Sequence, residues 1–518
     1  MKACLSSIVL IYLLSTSPIL AQYSGGDGSK ENPWKISEPN DLIGFGVNTI
    51  HYNHHFILTT DIDFSGKTFT TAIIAPLKIS LFLILKPGKI TPFNGSFDGN
   101  GHSISNLTFN TRGKGNEYVG LFGKLSANAV VQNLNIKNIN ITLINKSRPR
   151  GLAYFGGLTG FNQGTINNCT VTGSIQGDLV LYRLGGLVGW NEGNITNCHT
   201  AVSIKSYQCA GGLVGVNSHG NISKCYTTGS VTGRNLSDSL GGLVGANGSG
   251  IIDNCHATGS VTGGEDSHWL GGLVGINDQG KINNSYATGN ISGYHRIGGL
   301  VGFNIGQITC SYSAGTITGN VSLGGLVGAS GSNATPYRPV IDCFIKNCYT
   351  TSPVNGGDKS AVLGGLVGSC VKDIITNCYS TGTVTGGKES WKLGGLVGEN
   401  DEGSISKCYS ISLITGGEGS YYHGGLVGRN FHIINNCFWD IETCGIDAGV
   451  GKDRDGKVEN LLGLTTSQLK TLSPYINAGW DFINETTNGK ENIWRMPEQS
   501  DYPILNWQKI DKFIQQQN

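Results

Sequence analysis

The sequence predicts an all-β chain: a single-stranded parallel β-helix of about ten coils with a cap at each end. Three observations carry this. Glycine supplies 80 of the 518 residues, roughly twice its ordinary share. The motif GGLxG recurs at Gly156, Gly185, Gly211, Gly241, Gly271, Gly298, Gly324, Gly364, Gly394 and Gly424. Between copies lie short β-branched pieces, each bounded by Gly or Asn, which read as strands and turns.

Residues 1–21 read as a secretory signal peptide. Lys2 precedes an apolar run from Ile8 to Leu14, and Ala21 closes a plausible cleavage site. The run is too short to span a bilayer, and so is a second one over residues 75–85. No transmembrane segment is therefore expected after cleavage. Residues 22–92 are expected to cap the first coil, since an open β-helix end exposes unpaired strand edges. Residues 93–437 hold the repeats. The steps between motif copies are 29, 26, 30, 30, 27, 26, 40, 30 and 30, too short for the four strands of a propeller blade at roughly 40 residues. The long step reads as a bulged turn over residues 335–345. A right-handed coil is expected, because parallel crossovers are overwhelmingly so. Residues 438–518 change composition, with Trp439, Trp480, Trp494 and Trp507, and read as a closing cap with a short helix near Thr466.

Composition excludes several classes. The glycines follow no three-residue period, so the chain is not collagen. Hydrophobic residues make up 38% and recur in ordered runs, which argues against disorder. With 36 basic and 35 acidic residues there is no basic field to attract nucleic acid. Charged residues are only 14%, as expected where identical positions stack and like charges would repel.

The period also predicts columns. Asn162, Asn191, Asn217, Asn247, Asn277, Asn304, Asn400 and Asn430 follow the motif at one spacing and can hydrogen-bond along the stack. Cys169, Cys198, Cys225, Cys255, Cys348, Cys378, Cys408 and Cys437 occupy another single position, filled by Ser285 and Ser311 in two coils. Parallel side chains ~4.8 Å apart suit small buried thiols, whereas a disulfide needs Cβ atoms nearer ~3.8 Å and converging. Among the remaining cysteines, Cys437 with Cys444 is the one bridge expected. Next to the thiols an outward column reads His199, Tyr226, His256, Tyr286, Tyr349, Tyr379 and Tyr409. It either braces the sheet or offers rings to a sugar or partner.

The ten GGLxG copies, with the following I-x-N-C-Y-x-T-G-x-V-x-G as at residues 375–386, resemble proteins built on the GLUG motif. The flanks, including FNGSFDGNGHSISNLTF from Phe93 and CFWDIETCG from Cys437, are similar to those of secreted repeat proteins of planctomycete-like bacteria. The resemblance implies a β-helical scaffold that is secreted, extracellular or at the cell surface, and implies no activity. Similar repeats accompany a metallopeptidase domain elsewhere, but the H-E-x-x-H that such chemistry needs is absent from this sequence.

The preferred ligand edge is the variable loop before each motif, because loops carry function more than strands do. It holds Tyr182, Tyr207, Trp269, Tyr294, Trp391, Tyr421 and Tyr422, with the acids Glu265, Asp266 and Glu389. Carboxylates for sugar cleavage are represented at best by Glu399, Asp401 and Glu402 in one turn. His51, His54 and His55 lack a second half for a metal site. No catalytic residue, metal or cofactor is assigned. The expected function is a non-catalytic adhesive or binding scaffold for a glycan or extracellular protein. The alternative is a polysaccharide lyase or hydrolase on the same frame.

Overall fold

The computed structural model describes residues 23–77, 90–111, 118–143, 153–177, 182–331, 343–497 and 501–508. The signal-peptide region, the apolar run beyond residue 77 and the bulged turn up to residue 342 lie outside them. The chain is a parallel β-solenoid of about ten turns. One sheet of 53 strands runs coil upon coil. Its register places equivalent residues above one another: Val214, Val244, Val274, Val301, Val327, Val367, Val397, Val427 and Val450 form one unbroken column. Side chains alternate along each strand, so the inward set is a continuous Ile, Val and Leu core.

Glycine serves close approach here, not left-handed backbone. None of the motif glycines has positive φ. A Cβ on Gly215 would sit 2.7 Å from the Gly189 carbonyl oxygen and 2.9 Å from Leu184 N of an earlier coil. Any side chain there would push the stack apart. One left-handed position of each coil falls instead on the residue before the thiol column: Asn168, Asn197, Lys224, Asn254, Asn284, Cys310, Asn347, Asn377, Lys407 and Asn436. Asparagine tolerates this region better than most residues.

The N-terminal region supplies coil strands of its own. Trp34–Ile36 pairs with His55–Leu58, which pairs with Ser96–Asp98. The helix Pro39–Val47 buries Leu42 and Phe45 against the end of the core, with Phe45 stacked 3.8 Å from Phe56.

The C-terminal region departs from a simple end cap. The solenoid continues past Cys437, since Val450–Asp453 pairs with Val427–Asn430 and Val458–Leu464 with Ile433–Asp440. The helix Thr466–Leu469 follows, capped by Thr465, and then the helix Ser473–Asn477. This module lies along the flank of the last coils. Trp480 and Trp494 pack on Tyr409 at 6.4 and 6.0 Å, and Trp507 reaches Tyr349 at 5.8 Å. Tyrosines stacked on the flank give the tryptophans an aromatic seat.

The asparagine column is buried inside, at the strand end rather than out in a turn. Asn162 Nδ2 donates to Asn191 Oδ1 (2.7 Å), Asn191 to Asn217 (2.7 Å), Asn217 to Asn247, Asn247 to Asn277 and Asn277 to Asn304 (2.8 Å each). Asn304 then donates to Ser330 Oγ at 3.0 Å, and Ser330 Oγ donates to Asp373 Oδ2. A second run goes from Asn400 to Asn430 (2.8 Å) and on to Asp453 (2.9 Å). Between the runs Cys370 stands where an asparagine would. Asp373 occupies the turn position that is glycine in neighbouring coils, such as Gly403. The two exchanges belong together. A Cβ at Gly403 would meet Asn400 Oδ1 at 2.5 Å; the smaller Cys370 makes room for a side chain at 373. Asp373 is fully enclosed, and burial pushes its carboxyl up to about 7, against the Ser330 hydrogen bond that favours the charged form.

Candidate ligand-binding face

The GGLxG corner folds the chain so that the strand before it and the strand after it lie side by side. Two outward columns flank the corner. One is the residue two before the motif: Tyr118, Tyr154, Arg183, Cys209, Ser239, Trp269, Arg296, Ser322, Val362, Lys392 and Tyr422. From Cys209 onward each member of this column has positive φ, between 38° and 65°. That conformation swings its side chain toward the other column, the residue just after the motif: Lys124, Phe161, Trp190, Val216, Ala246, Ile276, Phe303, Ala329, Ser369, Glu399, Arg429 and Lys452.

The columns meet in three clusters. In the first coils Tyr154 packs on Phe161 at 5.9 Å and on Trp190 at 5.3 Å, and Lys124 Nζ lies 4.5 Å over the Phe161 ring. Midway, Trp269 stacks 6.1 Å from Phe303, and the Arg296 guanidinium covers the same ring at 5.2 Å. Near the end, Glu399 joins Lys392 Nζ (2.8 Å) and Arg429 Nε (2.7 Å), and Lys392 lies 4.0 Å over Trp391. Burial lowers the pKa of Arg296 and of Lys392, opposed at Lys392 by Glu399. Trp269 Nε1 is buried without an acceptor among the described residues.

The loop residues expected at one edge do not share one surface. Trp269 and Tyr422 belong to the column just described. Trp391 and Tyr421 stand one place earlier and stack on each other at 6.1 Å. Tyr182 takes the same backbone register, and its side chain lies outside the described residues. Tyr207 and Tyr294 sit one further residue back. Tyr207 lies under Arg234 at 5.9 Å and Tyr294 is exposed. Glu265 is tied to Asn235 Nδ2 at 3.1 Å, Asp266 is exposed with positive φ, and Glu389 faces Lys359 at 3.8 Å. Trp269 and Trp391 lie in loops of equal length, at residues 263–270 and 386–393, but at different positions relative to the motif, and alternation along a strand turns that one-residue offset into a change of face.

Other candidates resolve as follows. Glu399, Asp401 and Glu402 do not converge: Glu399 is ion-paired as above, Asp401 is exposed, and Glu402 reaches Lys372 at 3.2 Å. His51 and His54 both lie tilted against Trp34, at 4.1 and 4.7 Å, while His55 Nδ1 contacts Ser96 Oγ at 2.7 Å, so the three rings do not converge on one point. The thiols of Cys169, Cys198, Cys225, Cys255, Cys348, Cys378, Cys408 and Cys437 are buried, and each sulfur faces the carbonyl two residues before it at 3.1–3.4 Å. Burial pushes the thiols of Cys169, Cys225, Cys348 and Cys408 up. Cys437 and Cys444 are both free, so the expected bridge is not formed. Cys437 holds its place in the column, and Cys444 instead contacts the Ile446 carbonyl at 3.3 Å.

The outward aromatic column is one continuous stack. His199, Tyr226, His256, Tyr286, Tyr312, Tyr349, Tyr379 and Tyr409 follow at 4.2–5.1 Å, with planes within 20°. Each ring face is covered by its neighbours. That leaves only edges outward and removes this column as a platform for sugar rings.

No helix among the described residues is long and apolar enough to cross a membrane. The family model for the GLUG motif matches residues 151–176, 181–205, 206–232, 237–262 and 268–292. The chain is 31% identical over 166 residues, 30% of its length, to Halomucin of Haloquadratum walsbyi. It is 34% identical over 155 residues, 29% of its length, to a "Putative Gly-rich membrane protein" of Evansella cellulosilytica. These matches span 2% and 15% of the two relatives. The crystal structure of a "putative immunoglobulin A1 protease" from Bacteroides ovatus is 17% identical and covers 94% of this chain and 96% of that one. Its TM-score of 0.29 is too low to carry an argument.

Proposed function

We propose that this GLUG-repeat β-solenoid is a non-catalytic scaffold, secreted or held at the cell surface of a bacterium, that binds an extracellular ligand of the glycan or matrix class. The observation that carries the reading is the pair of columns beside the GGLxG corner. They keep half-buried aromatic rings, Trp269 with Phe303 and Tyr154 with Trp190, on one outward face of a rigid rod. A preformed face loses little entropy on binding. The names of Halomucin and of the Gly-rich membrane protein support a surface location. A hydrolase or lyase on this frame is disfavoured by the divergence of Glu399, Asp401 and Glu402, since such chemistry needs two acid–base groups facing one bond.

The test is a glycan and matrix-protein array probed with the mature chain and its Trp269→Ala and Trp391→Ala variants. The expected result is a set of ligands whose signal falls in at least one variant. Identical signals in all three proteins, or cleavage of a bound glycan, would refute the reading.

A further inference from the structure

We infer that the ligand of this face is an extended acidic polysaccharide, held at three stations along the rod. The inference rests on the binding role proposed above and adds the chemical class. The whole chain is almost neutral, at 36 basic to 35 acidic residues. The two columns are not. They contain Lys124, Arg183, Arg296, Lys392, Arg429 and Lys452 against the single acid Glu399. Carboxylates border the strip: Glu192, which holds the Trp190 indole N–H at 3.0 Å, then Asp238, Asp278 and Asp401.

The middle station is the most telling. Arg296 makes no ion pair or hydrogen bond among the described residues, and its guanidinium lies on Phe303. Trp269, on the same ring, has a buried indole N–H without an acceptor. A cation with no acceptor, already stripped of part of its water, is matched by an anionic oxygen. The adjoining ring faces suit a sugar. In the last station Lys392 and Arg429 share one carboxylate, and Lys452 stands next in register, so positive charge remains over. The first station repeats the pairing of cation and ring with Lys124 on Phe161.

Spacing argues for a polymer. Phe303 lies five coils from Phe161 and four from Arg429, or about 20–25 Å at ~4.8 Å per coil. The coils between carry Val216, Ala246, Ala329 and Ser369, which leave the path clear. A chain long enough to reach all three stations gains affinity through effective concentration, without any new contact.

The experiment measures binding of the mature chain to polygalacturonate, to an uncharged galactan and to single-stranded DNA, by biolayer interferometry over a salt series. A trigalacturonate is the short probe. The expected result is binding to polygalacturonate that weakens with salt, no binding to galactan, and at least ~100-fold weaker binding of the trimer. Arg296→Ala should weaken polymer binding about tenfold with an unchanged thermal midpoint, and Arg296→Lys should restore part of it. Equal binding of galactan would overturn the acidic class while leaving the glycan role intact. Equal binding of DNA would overturn the sugar component, and an unchanged Arg296→Ala would overturn the middle station. Failure to bind any glycan on the array would remove both readings together.

Discussion

Replacing Asp373 by asparagine should make the protein more stable at neutral pH and should flatten a pH dependence that the wild type shows. Asp373 is enclosed between Ser330 and Ile374 N, and its carboxyl is pushed up to about 7 from 3.8. The groups around it are the Cys370 and Cys378 thiols and, through Cys370, Asp401. Among the described residues no cation faces it. In the folded state the proton stays on up to about pH 7, whereas the unfolded chain releases it near 3.8. Between these values the native state binds more protons, so stability falls as pH rises. The slope is about 1.4 kcal/mol per pH unit, and roughly three units give about 4 kcal/mol lost by pH 7. Below the unfolded value there is no penalty, and above the folded value it is constant. Asparagine keeps an oxygen that can accept from Ser330 and has no charge to bury. The assay is urea unfolding followed by far-ultraviolet circular dichroism for both proteins at pH 4.5, 5.5, 6.5 and 7.5. Subtracting the curves cancels carboxylates common to both, including Asp61, Asp63 and Asp440, whose pKa values are lowered. The difference should grow by more than 2 kcal/mol over this range. A difference that stays constant to within about 0.5 kcal/mol would refute the assignment.

Three further outcomes follow from the same geometry. Asn247→Ala removes the donor to Asn277 and the acceptor for Asn217 inside the core and should cost about 3 kcal/mol; Cys225→Ser, matched by the native Ser285 and Ser311, should cost under about 1.5, both read by urea unfolding. Glu399→Gln strands Lys392, whose side chain is 5% exposed, and should cost about 3–5 kcal/mol, while Glu389→Gln, facing an exposed Lys359, should change the thermal midpoint by less than about 2 °C. Trp494→Ala should destabilise the flanking module by about 3–5 kcal/mol, so that limited proteolysis cuts beyond residue 464 and leaves the solenoid intact.

The solenoid was readable because stacking repeats one environment at a fixed spacing, and spacing is what a sequence displays. The thiol and asparagine positions stand in register for that reason. Tyr312 also stands in the aromatic column, following Ser311 as Tyr286 follows Ser285. The strip beside the corner was not legible. Its first column is held in the left-handed region by Cys209, Ser239, Trp269, Arg296, Val362 and Lys392, none of which announces that conformation. Its second column is the variable residue just after GGLxG, where no single residue type dominates. The loop aromatics were visible as residues, but their faces depend on one-residue offsets that composition does not encode. The C-terminal tryptophans announced a packed module, yet only the tyrosine flank shows where it packs.

The buried amide column has a direction. Each link between side chains is donated toward the C-terminal end, from Asn162 to Ser330 and from Asn400 to Asn430, while most of these amides also donate to a carbonyl of their own coil, as Asn217 does to Gly220. Each run stops on a carboxylate, Asp373 or Asp453, a group that when ionised accepts and cannot donate onward. Asparagine thus acts as a link and aspartate as a terminator. Whole coils can be duplicated or deleted within a run without leaving an orphaned amide, whereas an aspartate set mid-run would sever it. The rod is polar along its length, as a filament is.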